Sequence, residues 1–192
     1  MMWKFTPTLF LLVLTMIFSG CARLIDATTS EPIYVHPGKR TTGARIDDRN
    51  IETIAMVNML KAHPGLADAR LIVNSHNGVV LLTGQVATHE LRQIASDTVN
   101  KISTVRQLHN ELQVGPYVPV STRTYDTWLT TKIKSKLIAN DEIDQGRIRV
   151  ITEDKTVFLM GMVSRREAEV VTDIARTTSG VKKVVRVFEY IN

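Results

Sequence analysis

With 192 residues, the chain has room for one ordinary domain or two small ones. Its formal net charge of +5 is too small to demand nucleic acid, and a surface of anionic lipid headgroups suits it equally well. The single cysteine excludes an intramolecular disulfide.

The chain opens with Lys4 ahead of an apolar run from Leu9 to Phe18, too short to span a bilayer comfortably. Ser19-Gly20-Cys21 follows, with small residues placed directly before a thiol. This resembles the bacterial lipobox, although Phe18 stands where Leu or Val is usual. On that reading residues 1–20 are a lipoprotein signal peptide. Cys21 is then the lipid anchor, carrying a diacylglycerol beside an acylated amino end. Several acyl chains at one point hold a protein firmly, whereas one is marginal. An ordinary secretory leader with a chance cysteine is a second reading, and an uncleaved anchor helix a third. Ala22 stands where an Asp tends to retain enterobacterial lipoproteins in the inner membrane, so the resemblance implies outer-membrane sorting. Residues 21–45 are rich in Thr, Pro, Gly and Arg, lack periodicity, and read as a lipidated flexible tether.

Beyond the tether the chain repeats itself. Val80, Leu82, Gly84 and Val86 fall on Val157, Leu159, Gly161 and Val163, an offset of 77 (84 to 161). The same offset aligns Arg70-Leu71-Ile72-Val73 with Arg147-Ile148-Arg149-Val150 and Leu60 with Leu137. Such ordered matching indicates tandem duplication, with copies at 46–114 and 125–192 and a linker at 115–124. In the first copy, Ile51, Ile54, Ala55 and Leu60 predict a helix over Asn50 to Ala62, with Asp47 and Asp48 as N-caps. Strands over Ala69 to Ser75 and Val79 to Val86 flank Asn77-Gly78, a strong hairpin signal. A helix over Thr88 to Lys101 and a strand over Val105 to Val114 complete the unit. The second copy repeats this with a helix over Asp126 to Ala139, strands at Arg147 to Thr152 and Thr156 to Val163, a helix over Ser164 to Thr177 and a last strand, Val181 to Ile191. The expected class is α+β: each copy runs α-β-β-α-β, with a small three-stranded mixed sheet and both helices on one face.

The strand motif V-x-L-x-G-x-V, with Gly180-Val181-Lys182-Lys183-Val184 near the end of the second copy, resembles the BON domain. Two such copies behind a lipobox resemble the dual-BON-domain lipoproteins of the outer membrane, as does the segment Tyr125 to Ile133. The resemblance implies a periplasm-facing outer-membrane lipoprotein. It would bind anionic phospholipid, notably phosphatidylglycerol, through its second domain. It also implies support of envelope integrity and enrichment at the division septum.

The residues point to one helix independently. Leu129, Ile133 and Leu137 recur every four residues as a core stripe, with Trp128, Lys132 and Lys136 in a row beside it. The candidate phospholipid-binding residues are Trp128, Leu129, Thr131, Lys132, Ser135 and Lys136. An indole sits well among ester groups while ammoniums meet phosphates. At an offset of 77, the first copy has Ile51, Ala55 and Met59 opposite Trp128, Lys132 and Lys136. A partly buried tryptophan beside ordinary solvated lysines is the competing reading. Lys182, Lys183 and Arg186 read as a solvated strand edge.

No catalysis is expected. His36, His63, His76, His89 and His109 are scattered without metal-ligand spacing, and no G-x-S-x-G, phosphate-binding glycine loop or H-E-x-x-H occurs. No cofactor and no metal site are expected. The export signal disfavours nucleic acid as a partner. Besides lipid reading, two alternatives stand: a scaffold for envelope assembly, protease or cell-wall factors, and a peptidoglycan-binding adaptor. Aromatics at 6% offer little for a sugar-binding groove.

Overall fold

The computed structural model describes residues 37–191. The leader, Cys21 and most of the expected tether lie outside the described residues. The first copy comprises α1 (Thr42–Ala62), a single turn α2 (Pro64–Ala67), β1 (Arg70–His76), β2 (Val79–Val86), α3 (His89–Asn100), β3 (Gln107–Asn110) and β4 (Gln113–Val114). The second comprises α4 (Val120–Ile138), a 3-10 turn (Gln145–Arg147), β5 (Ile148–Glu153), β6 (Thr156–Val163), α5 (Arg165–Arg176) and β7 (Lys183–Tyr190).

In each copy the second strand is central. It pairs antiparallel with the first strand and parallel with the last, as β1-β2-β3 and β5-β6-β7. The expected mixed sheet is therefore present in both copies. In the first copy the last strand is broken, and β4 resumes the parallel pairing with β2. Asn110 explains the break: its side chain accepts from the Leu112 amide and donates to the Arg92 carbonyl, while Leu112 turns into the core.

Both first helices begin earlier than the apolar spacing predicts. Thr41, not Asp47 or Asp48, caps α1, its hydroxyl accepting from the Ala44 amide at 3.1 Å. α4 starts at Val120 behind Pro119, so part of the expected linker is helical. These opening turns carry few apolar residues, which is why periodicity misses them. The stripe of α1 also differs: Ile51, Ala55 and Met59 are buried, whereas Ile54 and Leu60 are exposed.

β2 is buried along its whole length, and β6 from Val157 to Val163. Alternate residues explain this. Val80, Leu82 and Val86 join the core beneath α1 and α3, with Ile51, Ala55, Met59, Leu91, Ala95 and Val99. Val157 and Leu159 join Leu129, Ile133, Leu137, Val171 and Ala175 beneath α4 and α5. The opposite faces meet each other: Val79 and Leu81 pack against Phe158, Met160 and Val187 in a third cluster. The two sheets thus stand back to back with helices outside. Polar bonds cross between the copies as well. Arg70 pairs with Glu153, which also accepts from Gln85 at 2.8 Å. Arg149 donates to Glu52 at 2.8 Å, and Glu189 accepts from Asn77 and Arg106.

Candidate functional site

A recurring clamp aims the first helix of each copy. Asp48 in α1 accepts from the amides of Asn77 and Gly78, both at 2.9 Å, and from the Ser75 hydroxyl at 2.7 Å. Asp126 in α4 accepts from the amides of Asp154 and Lys155 at 2.8 and 2.9 Å. The clamped residues, Asn77-Gly78 and Asp154-Lys155, all have positive φ, the geometry of a tight hairpin turn. Burial acts to raise the Asp48 carboxyl. The Gly78 amide, the Ser75 hydroxyl, the Asn77 amide and Arg40 outweigh it and hold Asp48 below the usual carboxylate range. Burial dominates at Asp126, helped by Glu153 and Asp154, and raises it.

The clamp also sets the correspondence between the helices. Asp48 and Asp126 are 78 residues apart, whereas Gly84 and Gly161 are 77 apart. Ile51, Ala55 and Met59 therefore correspond to Leu129, Ile133 and Leu137, all buried. The counterparts of Trp128, Lys132 and Lys136 are Asn50, Ile54 and Asn58, not Ile51, Ala55 and Met59 as the strand offset suggests. A residue gained between helix and hairpin slips one register against the other. The contrast survives the correction, because the first copy still has no tryptophan or lysine in that row.

On α4, Trp128 is 50% exposed. The Lys132 ammonium lies 4.7 Å from its ring centroid and donates to the Ser179 carbonyl at 3.4 Å. A lysine over an indole face is an attractive arrangement that also fixes both side chains. Tyr125, one turn earlier, places its ring 5.2 Å from that of Trp128, and the Lys155 ammonium lies 5.8 Å from the Tyr125 centroid. Gly180 has φ +105°, and a Cβ there would run into the Tyr125 hydroxyl. Apolar periodicity alone does not mark Tyr125 as part of this surface; its local signal is the i, i+3 spacing to Trp128.

The other sequence candidates divide. Lys136 and Ser135 are exposed, and the Ser135 hydroxyl donates to the Thr131 carbonyl at 3.0 Å. Leu129 is 0% exposed and packs in the second-copy core, so it does not belong to this surface. Ile133 and Leu137, at i+4 and i+8, continue the same buried stripe in that core. Thr131 is exposed but lines a groove on the opposite flank of α4 from Lys132. Lys182, Lys183 and Arg186 are exposed, the last two on the edge strand β7. Burial, followed by Arg40, lowers His76 to about 4. Among the described residues no group of three His, Cys, Asp or Glu stands as a metal site. No described helix is long and apolar enough to cross a membrane.

Comparison with known proteins matches the family profile "BON domain" to residues 47–116 and 125–192. The chain is 34% identical over 182 residues to "Outer membrane lipoprotein DolP" of Haemophilus influenzae, covering 95% of this chain and 94% of that one. It is 36% identical over 152 residues to a "21 kDa hemolysin" of Actinobacillus pleuropneumoniae, covering 79% and 78%. It is 29% identical over 145 residues to "Osmotically-inducible protein Y" of Escherichia coli, covering 74% and 72%.

Proposed function

The chain belongs to the BON-domain family, with two copies of the domain, and on that premise we propose that it is an outer-membrane lipoprotein that reads anionic phospholipid through α4. Anchoring through Cys21 fits the name of a relative called an outer membrane lipoprotein, and the body is proposed to face the periplasm. The observation that carries the lipid reading is the half-exposed Trp128 held between Tyr125 and the Lys132 ammonium. Such a row sets an amphipathic ring at headgroup level with cations beside it. Lys132, Lys136 and Ser135 meet the phosphate, and phosphatidylglycerol is the intended lipid. Support of envelope integrity, at division sites above all, follows from that role.

Co-sedimentation of the unlipidated chain, residues 22–192, with vesicles tests this. Binding to vesicles containing phosphatidylglycerol, little binding to neutral ones, and loss in Trp128→Glu are expected. Equal binding by wild type and Trp128→Glu would remove α4 from the account. A second reading has its own observation. Ile54, Val57 and Leu60 are 44%, 41% and 40% exposed along one flank of α1, the kind of apolar strip that docks a partner protein. Absence of vesicle binding makes that scaffold reading the leading one.

A further inference from the structure

The other flank of α4 closes a groove of about 500 Å³ against β1 and β5, at the junction of the two copies. Successive residues turn by about 100° around a helix. That places Arg123, Thr127 and Lys134 on the side of α4 away from Trp128 and Lys132, with the core stripe on one side between them.

The groove holds an unusual set of idle donors. Asn74 is only 7% exposed, and its Nδ2 has no hydrogen-bond partner. The Arg123 Nε is likewise out of solvent contact and unpartnered. These are two of three such side-chain atoms among the described residues, and both residues line this one groove. A buried donor left unmade costs stability, so two such donors on residues of one groove call for an acceptor. Thr130 and Thr152 share one hydroxyl hydrogen at 2.7 Å, which leaves the other to give. The carboxylates of the groove are already engaged. Asp126 is held by the hairpin amides, and Glu153 by Arg70 and Gln85. Of the cationic residues in the lining, Arg70 is paired with Glu153 and Arg149 with Glu52, which leaves Arg123 and Lys134 without an ion pair among the described residues. What remains unmet is donor capacity and positive charge, in a space large enough for a small organic anion.

We propose that this groove binds a phosphoryl oxyanion, with Asn74, Arg123 and Lys134 as its donors, independently of the Trp128 flank. Guanidinium and ammonium groups bind phosphate oxygens through short, charge-assisted hydrogen bonds. The ligand is either a soluble phosphate ester or the phosphate of a lipid headgroup.

The full chain in zwitterionic micelles, with the Arg123 Nε–H and Asn74 side-chain amide followed by NMR, separates these sources. Glycerol 3-phosphate and nanodiscs containing phosphatidylglycerol are the two probes. Saturable shifts with glycerol 3-phosphate identify a soluble phosphate ester. Shifts with nanodiscs alone that persist in Trp128→Glu identify a lipid headgroup. In either case Arg123→Gln is expected to weaken binding about tenfold, the loss of one charged hydrogen bond. The surface change Lys134→Ala, which removes no packing, is expected to weaken it measurably. No shift with either probe overturns the site. So does binding that both variants leave intact, or a response that Trp128→Glu abolishes. The vesicle assay on Trp128→Glu reads the opposite flank, so each idea can fail alone.

Discussion

Asp48 gathers two backbone amides, a hydroxyl and Arg40 onto one carboxylate, and both of its oxygens are in use. Asp48→Asn keeps one acceptor and turns a donor on the others. We expect a loss of about 3 kcal/mol by urea unfolding at neutral pH, from stranded buried donors. The native carboxyl titrates below its ordinary range, so its contribution is present at neutral pH and fades as pH falls through the native value. The gap between wild type and variant should narrow in strong acid. His76 has the same sign in a different window. Burial, Arg40 and Arg149 lower it to about 4 against Asp48 and Glu189, while an unfolded histidine titrates near 6.5. From 6.5 down to 4 the unfolded chain takes a proton that the native one refuses. Stability should fall by about 3 kcal/mol across that window, and His76→Gln should flatten the fall. Gly84 and Gly161 sit at φ +119° and +154°, where a Cβ would meet the carbonyl of Arg70 at the start of β1 or of Arg147 in the turn just before β5. Each Gly→Ala change is expected to cost about 3 kcal/mol by the same measurement, through strain and overpacking.

At the scale of elements, strands and turns are the legible part of the sequence. Asn77-Gly78 announces its hairpin, and the V-x-L-x-G-x-V runs become β2 and β6. Ser164 announces α5: its hydroxyl accepts from the Glu167 amide while the Glu167 carboxylate accepts from Ser164. Ser164→Ala should therefore lower the melting temperature by several degrees, about 1 kcal/mol for a lost cap. Helix starts are less legible, because Thr41 and Pro119 precede turns whose residues face solvent. The roles of Asp48 and Asp126 were hidden too. A carboxylate near a helix start reads as a cap from local spacing, whereas its partners here lie about thirty residues on. Part of the candidate surface was legible, since the four-residue row sets Trp128 beside Lys132. Leu129 was misplaced by adjacency in sequence, as neighbours on a helix point about 100° apart. Tyr125 and the groove on the far flank need the second hairpin, the loop at Gly180 and β1, none of which local spacing brings together.

For the whole molecule, burial on both faces of β2 and of β6 from Val157 onward comes from the second sheet that each faces. Leu81 is 0% exposed there, among Phe158, Met160 and Val187. Leu81→Asp puts a charge into that seam, and we expect it to cost more than about 4 kcal/mol. Calorimetry should show one unfolding transition in the wild type and a broadened or split one in the variant. Leu81 and Phe158 stand at matching places in their repeats, so each copy offers its twin much the same face. The seam has the self-complementary character of a twofold homodimer interface, drawn inside a single polypeptide. A covalent link keeps the two faces at high effective concentration. Each copy is thereby relieved of finding a mate by diffusion. A lone copy released by proteolysis would carry an uncovered apolar sheet and would be driven to pair with another.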